Sequence, residues 1–156
     1  MVSTRFLMIS ILFIGLSIFM VAFLYLPYLT NVFVEIDPSY AYLQLPGLIG
    51  IYLTLIPFCY ALYQSFLLLR YIEQRNVFSL HSAKALKSIR SCAFVIAGFY
   101  IVGCIFFFTQ NALHPSLLLI SVAIIFVCFV ISVFSGLLQA LLTSAVEIKE
   151  ENELTV

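Results

Sequence analysis

The sequence predicts an all-α integral membrane protein, a four-helix bundle with both termini in the cytoplasm. Three observations predict it. The chain is 64% hydrophobic and 9% charged, it contains four apolar runs of span length free of Asp, Glu, Lys and Arg, and its basic residues all fall on one side of the topology those runs define. Soluble domains carry roughly 25% charged residues, and a water-soluble fold of 156 residues has no means of hiding this much apolar surface. Formal net charge is zero, so no global field draws the chain to nucleic acid, and direct nucleic-acid binding is not expected.

A transmembrane helix needs about 20 mainly apolar residues to cross roughly 30 Å of hydrocarbon. The runs at about 6–29, 48–69, 91–108 and 117–142 meet that length within a single membrane domain, 1–156. The first is too long for a signal sequence and is followed by no small-x-small cleavage site, so it reads as an uncleaved anchor. Arg5 precedes it; Arg70, Arg75, Lys84, Lys87 and Arg90 lie in the loop 70–90; Lys149 lies in the tail 143–156. An even number of crossings places all of them on one side, which the positive-inside rule makes cytoplasmic at the cell membrane. The opposite loops, Thr30 to Gly47 and Thr109 to Ser116, hold no Lys or Arg, only Glu35, Asp37 and His114. Tyr25, Tyr28, Phe33, Tyr40 and Tyr42 cluster at that end and read as an interfacial aromatic belt, the alternative being an aromatic cage for a ligand.

Packing signals are of two kinds. Ser132, Gly136, Ala140 and Ser144 recur every four residues in span four. Small side chains let a second backbone approach closely, so this stripe is expected at a tight contact, within the bundle or between subunits of a homo-oligomer. Pro57 in span two removes a backbone hydrogen bond. Broken helices in transporters use such points for ligand sites; the simpler reading is a packing kink, with the nearby Thr54 hydroxyl available to a freed carbonyl. The cysteines, Cys59, Cys92, Cys104 and Cys128, sit in apolar runs without CxxC spacing and read as small hydrophobes, although two of them could pair.

On the cytoplasmic side Ser79 is placed to cap a helix. Leu80, Ala83, Leu86 and Ile89 form an apolar stripe beside the basic Lys84, Lys87 and Arg90, and no Pro or Gly intervenes before Ser91. One continuous helix from about Leu80 to Phe108 follows, its first turns projecting beyond the hydrocarbon. Counting down equally from the short outer turn sets Leu137 to Leu142 level with Ala83 to Ser88, and Glu147 and Glu150 near Arg75 to Phe78. Residues Arg70 to Arg90 hold five basic side chains and one acid, whereas the tail after Leu142 holds Glu147, Glu150, Glu151 and Glu153 against Lys149. Two readings stand: several weak pairs dock the tail or leave it exchangeable with a partner, or the tail is solvated and the loop rests on anionic headgroups.

Two segments carry a family resemblance. Asn76-Val77-Phe78-Ser79, followed by Ala85-Leu86 and Ile89, and the ending Glu150-Glu151-Asn152-Glu153-Leu154-Thr155-Val156 resemble the signatures of the YoaS-like family of small four-helix bacterial membrane proteins. The chain departs from the family in having Asn76 where glycine is frequent, a residue that tolerates a left-handed turn second best to glycine, and in having Glu153 before the Leu-Thr-Val ending. Members of that family are often encoded beside a small helix-turn-helix regulator of the Cro/CI type, so the resemblance implies a soluble, DNA-binding partner in the cytoplasm. Phe78, Ser79, Glu150, Glu151, Leu154 and Thr155 match the family segments and, with Lys84, Lys87 and Glu147, form the expected partner surface.

The functional expectation is a non-enzymatic regulatory or adaptor protein. A transport or channel component is the alternative, but its polar candidates, Thr54, Tyr60, Gln64, Ser132 and Gln139, carry no charge, and pathways normally carry ionisable groups. Immunity against a membrane-active peptide would also suit a small polytopic protein. An enzyme is least expected: His81 and His114 lie on opposite sides, no acid–base constellation assembles, and no catalytic residue, cofactor or metal site is assigned. Glu35, Asp37 and His114 share one side and could meet around a metal, but loop residues of this kind are more often solvated.

Overall fold

The computed structural model describes residues 4–74, 79–112 and 114–155, the side chain of Thr155 excepted. Four long helices account for nearly all of them: α1 (Thr4–Ile36), α2 (Gln44–Glu73), α3 (Leu80–Thr109) and α4 (Pro115–Thr155). Each is long and apolar enough to cross a bilayer. Arg5 at the start of α1 meets Glu73 at the end of α2, Nε to Oε1 at 4.0 Å, as expected of an antiparallel pair. The ends bearing Arg5, Arg70, Lys84 and Lys149 are called the basic end below.

α1 runs further than the sequence predicts, because Thr30–Ile36, expected in the outer loop, is helical. Neither Gly nor Pro interrupts that stretch, and the helix stops where chemistry requires it. Asp37 precedes Pro38 and is forced into an extended conformation (φ −138°, ψ 91°). Its carboxylate then accepts the Ser39 N–H at 3.2 Å, opening a short 3-10 turn, Pro38–Leu43, that leads into α2.

Within α1, Val21–Tyr25 is π-helical. The Leu26 N–H reaches back five residues to the Val21 carbonyl and so passes over Ala22. The next candidate donor for Ala22 is Pro27, which has no N–H. The orphaned carbonyl is satisfied from α2 instead: the Tyr52 hydroxyl donates to Ala22 O at 3.2 Å, and the Tyr52 ring stacks on Phe23 with centroids 5.3 Å apart. Below this point Gly15 is buried against Leu62. α2 itself continues unbroken through Pro57. The Thr54 hydroxyl donates to Ile51 O at 2.6 Å rather than to the Leu53 carbonyl that Pro57 deprives of its donor, so the expected compensation is not made by Thr54.

α3 matches its predicted limits to within a residue. Ser79 adopts extended cap geometry and its hydroxyl accepts the Ser82 N–H at 3.4 Å. At the far end Asn111, with φ 55°, ends the helix in a left-handed residue. The Ala112 N–H then bonds Phe107 O and the Asn111 N–H bonds Phe108 O, the paired bonds of a Schellman cap. Pro115 follows as the first residue of α4, where a missing N–H is harmless.

The helices pack in chain order, most extensively α3 with α4, then α2 with α3, and least α1 with α2. The half-buried and buried positions along α4 include Ser121, Ile125, Cys128, Ser132, Ser135, Gln139, Leu142 and Val146, which alternate by four and three. That is the heptad spacing of a left-handed coiled coil. The facing helix contributes Ser82, Leu86, Ile89, Ala93, Ile96, Tyr100, Gly103 and Phe107 at the same period. Small residues dominate the closest part: Ser82 is 0% exposed, Ser132 2% and Ala93 4%. The Ser132 hydroxyl returns to its own helix, donating to Cys128 O at 2.8 Å. All four cysteines are free.

The stripe spaced by four is divided by this seam. Ser132 is buried and Gly136 half-buried, but Ala140 and Ser144 are exposed. Each four-residue step turns about 40° past a full circle, so Ser144 lies about 120° around the helix from Ser132. Residues expected beyond the last span continue α4 as helix to Thr155, giving 41 residues.

Candidate functional site at the basic end

The sequence-predicted partner residues sort by helix. Lys84 and Lys87 are exposed on the first turns of α3, and Arg90 is exposed one turn further. Ser79 is half-buried and committed to its cap. Phe78, with Arg75, Asn76 and Val77, lies outside the described residues, as does the expected pairing of Glu147 and Glu150 with that segment. Because the tail is helical, Glu147, Glu150, Glu151 and Leu154 stand at i, i+3, i+4 and i+7 and share one face. All four are exposed, Leu154 at 87%. The backbone of Thr155 ends the helix.

Heights follow from one contact. A Cβ on Gly136 would lie 3.2 Å from Cζ of Arg90, so α3 and α4 are level where their residue numbers sum to about 226. The count from the outer turn agrees within a residue. Extended along the axis, the same register puts Lys84 beside Leu142 and Glu147 beside Ser79. The acidic face therefore begins where α3 ends. No ion pair joins Lys84 or Lys87 to Glu147 or Glu150 among the described residues.

Length gives this end its character. At 1.5 Å per residue α4 is about 60 Å long, roughly twice the hydrocarbon thickness. Its last three turns reach past the start of α3 and carry exposed Ile148 (59%) and Leu154 beside the glutamates. No described neighbouring helix covers these apolar side chains. On α2 and α3, Tyr71 and His81 rings approach to 6.0 Å, adding an aromatic shoulder at the same end.

The opposite end is a polar clasp. Tyr40 and Tyr42, expected in an aromatic belt, both donate to the α3–α4 turn: Tyr40 to Asn111 O and Tyr42 to Gln110 Oε1, each at 3.1 Å. Gln44 donates to Asn31 Oδ1 at 2.6 Å, closing α2 onto α1. His114 packs edgewise on the Phe33 ring, 6.3 Å away. Asp37 is occupied by Ser39. Among the described residues no three His, Cys, Asp or Glu side chains gather to hold a metal.

Sequence reasoning missed two features. The tail's helicity was signalled by its composition, since Glu, Ala, Leu and Lys are good helix formers. The link between Tyr52 and Ala22 was signalled only by Pro27, and its partner could come only from the fold.

Comparison with known proteins agrees with a membrane protein. No solved structure matches the chain. The Bacillus subtilis (strain 168) protein described as "Uncharacterized membrane protein YoaS" is 41% identical over 156 residues, covering 99% of this chain and 98% of its own length. With four helices of spanning length, that likeness places the chain in the membrane as a multi-pass protein. A family model described as "Protein of unknown function (DUF2975)" matches residues 28–156, nearly all of the fold from the end of the π segment onward, and the chain belongs to this DUF2975 family.

Proposed function

We propose that the chain is a non-enzymatic membrane regulator or adaptor that engages a soluble partner through the basic end of α3 and α4. The observation that carries this reading is the projecting end of α4, where Glu147, Glu150 and Leu154 stand exposed on one helical face beyond the first turn of α3. An acidic face with an apolar anchor suits a basic, partly apolar groove on a partner. The positive-inside rule puts that end in the cytoplasm. The partner class favoured is a DNA-binding regulator, whose basic surface complements the glutamates; DNA itself would be repelled by them.

Crosslinking in native membranes followed by co-purification and mass spectrometry tests the proposal. A DNA-binding protein is expected in the wild-type sample and absent after truncation at Glu147 or after Lys84→Glu with Lys87→Glu. Unchanged recovery in both variants would remove the basis for an adaptor role. Solute flux through proteoliposomes, blocked by a bulky residue at Gly136, would instead favour the transport reading.

A further inference from the structure

We infer that Arg90, with Lys87 beside it, binds the phosphate of an anionic phospholipid where α3 meets α4, and that Gly136 sets the guanidinium in place. A Cβ on Gly136 would stand 3.2 Å from both Cζ and Nη1 of Arg90 and 3.4 Å from Nε. The guanidinium therefore lies against α4 at Gly136, where any added side chain would require Arg90 to shift. On its second side Cζ lies 5.6 Å from the centroid of the Phe94 ring, within range of a cation–π contact.

The guanidinium thus stands between the Phe94 ring of its own helix and the Gly136 backbone of α4. Its charge is permanent, because guanidinium does not deprotonate in proteins. Yet no hydrogen bond or ion pair from a described residue satisfies its donors. The acids of the basic end lie elsewhere: Glu73 pairs with Arg5, and Glu147 is eleven residues beyond Gly136, about 16 Å along α4. An exposed cation with no described partner, at the basic end of a spanning helix, is matched in a bilayer by the lipid phosphate. The planar fork of donors matches two phosphate oxygens. Lys87, three residues earlier and exposed, supplies a second positive charge on the adjoining face.

The full-length protein in neutral detergent micelles is titrated with phosphatidylglycerol, with phosphatidylcholine, or with inorganic phosphate, and bound lipid is counted by native mass spectrometry alongside thermal unfolding. Wild type is expected to retain phosphatidylglycerol and unfold at higher temperature with it, and to respond to neither alternative. R90Q should weaken retention about tenfold, the scale of one charge-assisted interaction. R90K should lose part of it, and G136V should weaken it with every charge intact. K149Q, on the projecting end of α4, should bind as wild type does. Equal phosphatidylglycerol retention by R90Q and wild type would overturn the proposal, as would G136V binding unimpaired while its circular dichroism matches wild type. An equal response to inorganic phosphate would assign the guanidinium to a soluble anion and overturn the lipid site.

Discussion

Tyr52→Phe removes one oxygen and leaves the aromatic stack on Phe23 in place, so its cost isolates the hydrogen bond to Ala22 O. Among the described residues that carbonyl has no second donor: Leu26 bonds Val21 instead, and Pro27 has no N–H. In an apolar setting the unpaired carbonyl bears its desolvation cost, about 1–3 kcal/mol. Interhelical hydrogen bonds in membranes average about 0.6 kcal/mol with a maximum near 1.7. The orphaned acceptor puts Tyr52 toward the upper part of that range, about 1–1.5 kcal/mol. Pro27→Ala provides the internal control, because the restored N–H can satisfy the carbonyl from within α1. The cost of Tyr52→Phe should then fall by about 1 kcal/mol in the Pro27→Ala background. A double-mutant cycle, with unfolding in mixed micelles followed by circular dichroism, measures this coupling. Equal costs in the two backgrounds would refute the account of the π segment.

Three further outcomes are expected. Gly15→Ala should be tolerated, since its Cβ would meet only the far end of Leu62 at 2.9 Å, whereas Gly15→Leu should overpack the α1–α2 contact by about 1–3 kcal/mol and reduce disulfide crosslinking between cysteines introduced into the two helices. Ser79→Ala should cost about 1 kcal/mol in the same unfolding assay through the lost cap, and Ser79→Asp should restore it. Glu147→Lys with Glu150→Lys should abolish partner recovery from membranes while leaving thermal unfolding unchanged, because both side chains are exposed and make no described ion pair.

Much of this molecule is legible in its sequence, for identifiable reasons. Apolar runs bounded by charge state where each helix crosses. Ser79 states where α3 begins, and the short outer turn sets the register that Arg90 and Gly136 display. The packing seam is harder to read because α4 is apolar on every side, so a periodic contact leaves little contrast in the pattern. The eye finds small residues spaced by four, while the helices meet by fours and threes, and only Ser132 belongs to both patterns. Distance hides the rest. Pro27 announces a missing donor, but its remedy stands thirty residues from Ala22 in the chain. The acidic tail was legible as charge and became a surface only once its helix set Glu147, Glu150, Glu151 and Leu154 on one face.

Every functional statement above rests on the proposal that the four crossings leave the basic end inside. Single cysteines at Ser39, Gln74, Asn111 and Asn152, introduced after the four native cysteines are replaced, can be tested in intact cells and inverted vesicles with a membrane-impermeant maleimide. Ser39 and Asn111 should label from outside, and Gln74 and Asn152 only in inverted vesicles. Labelling of Ser39 and Gln74 from the same side would contradict the account.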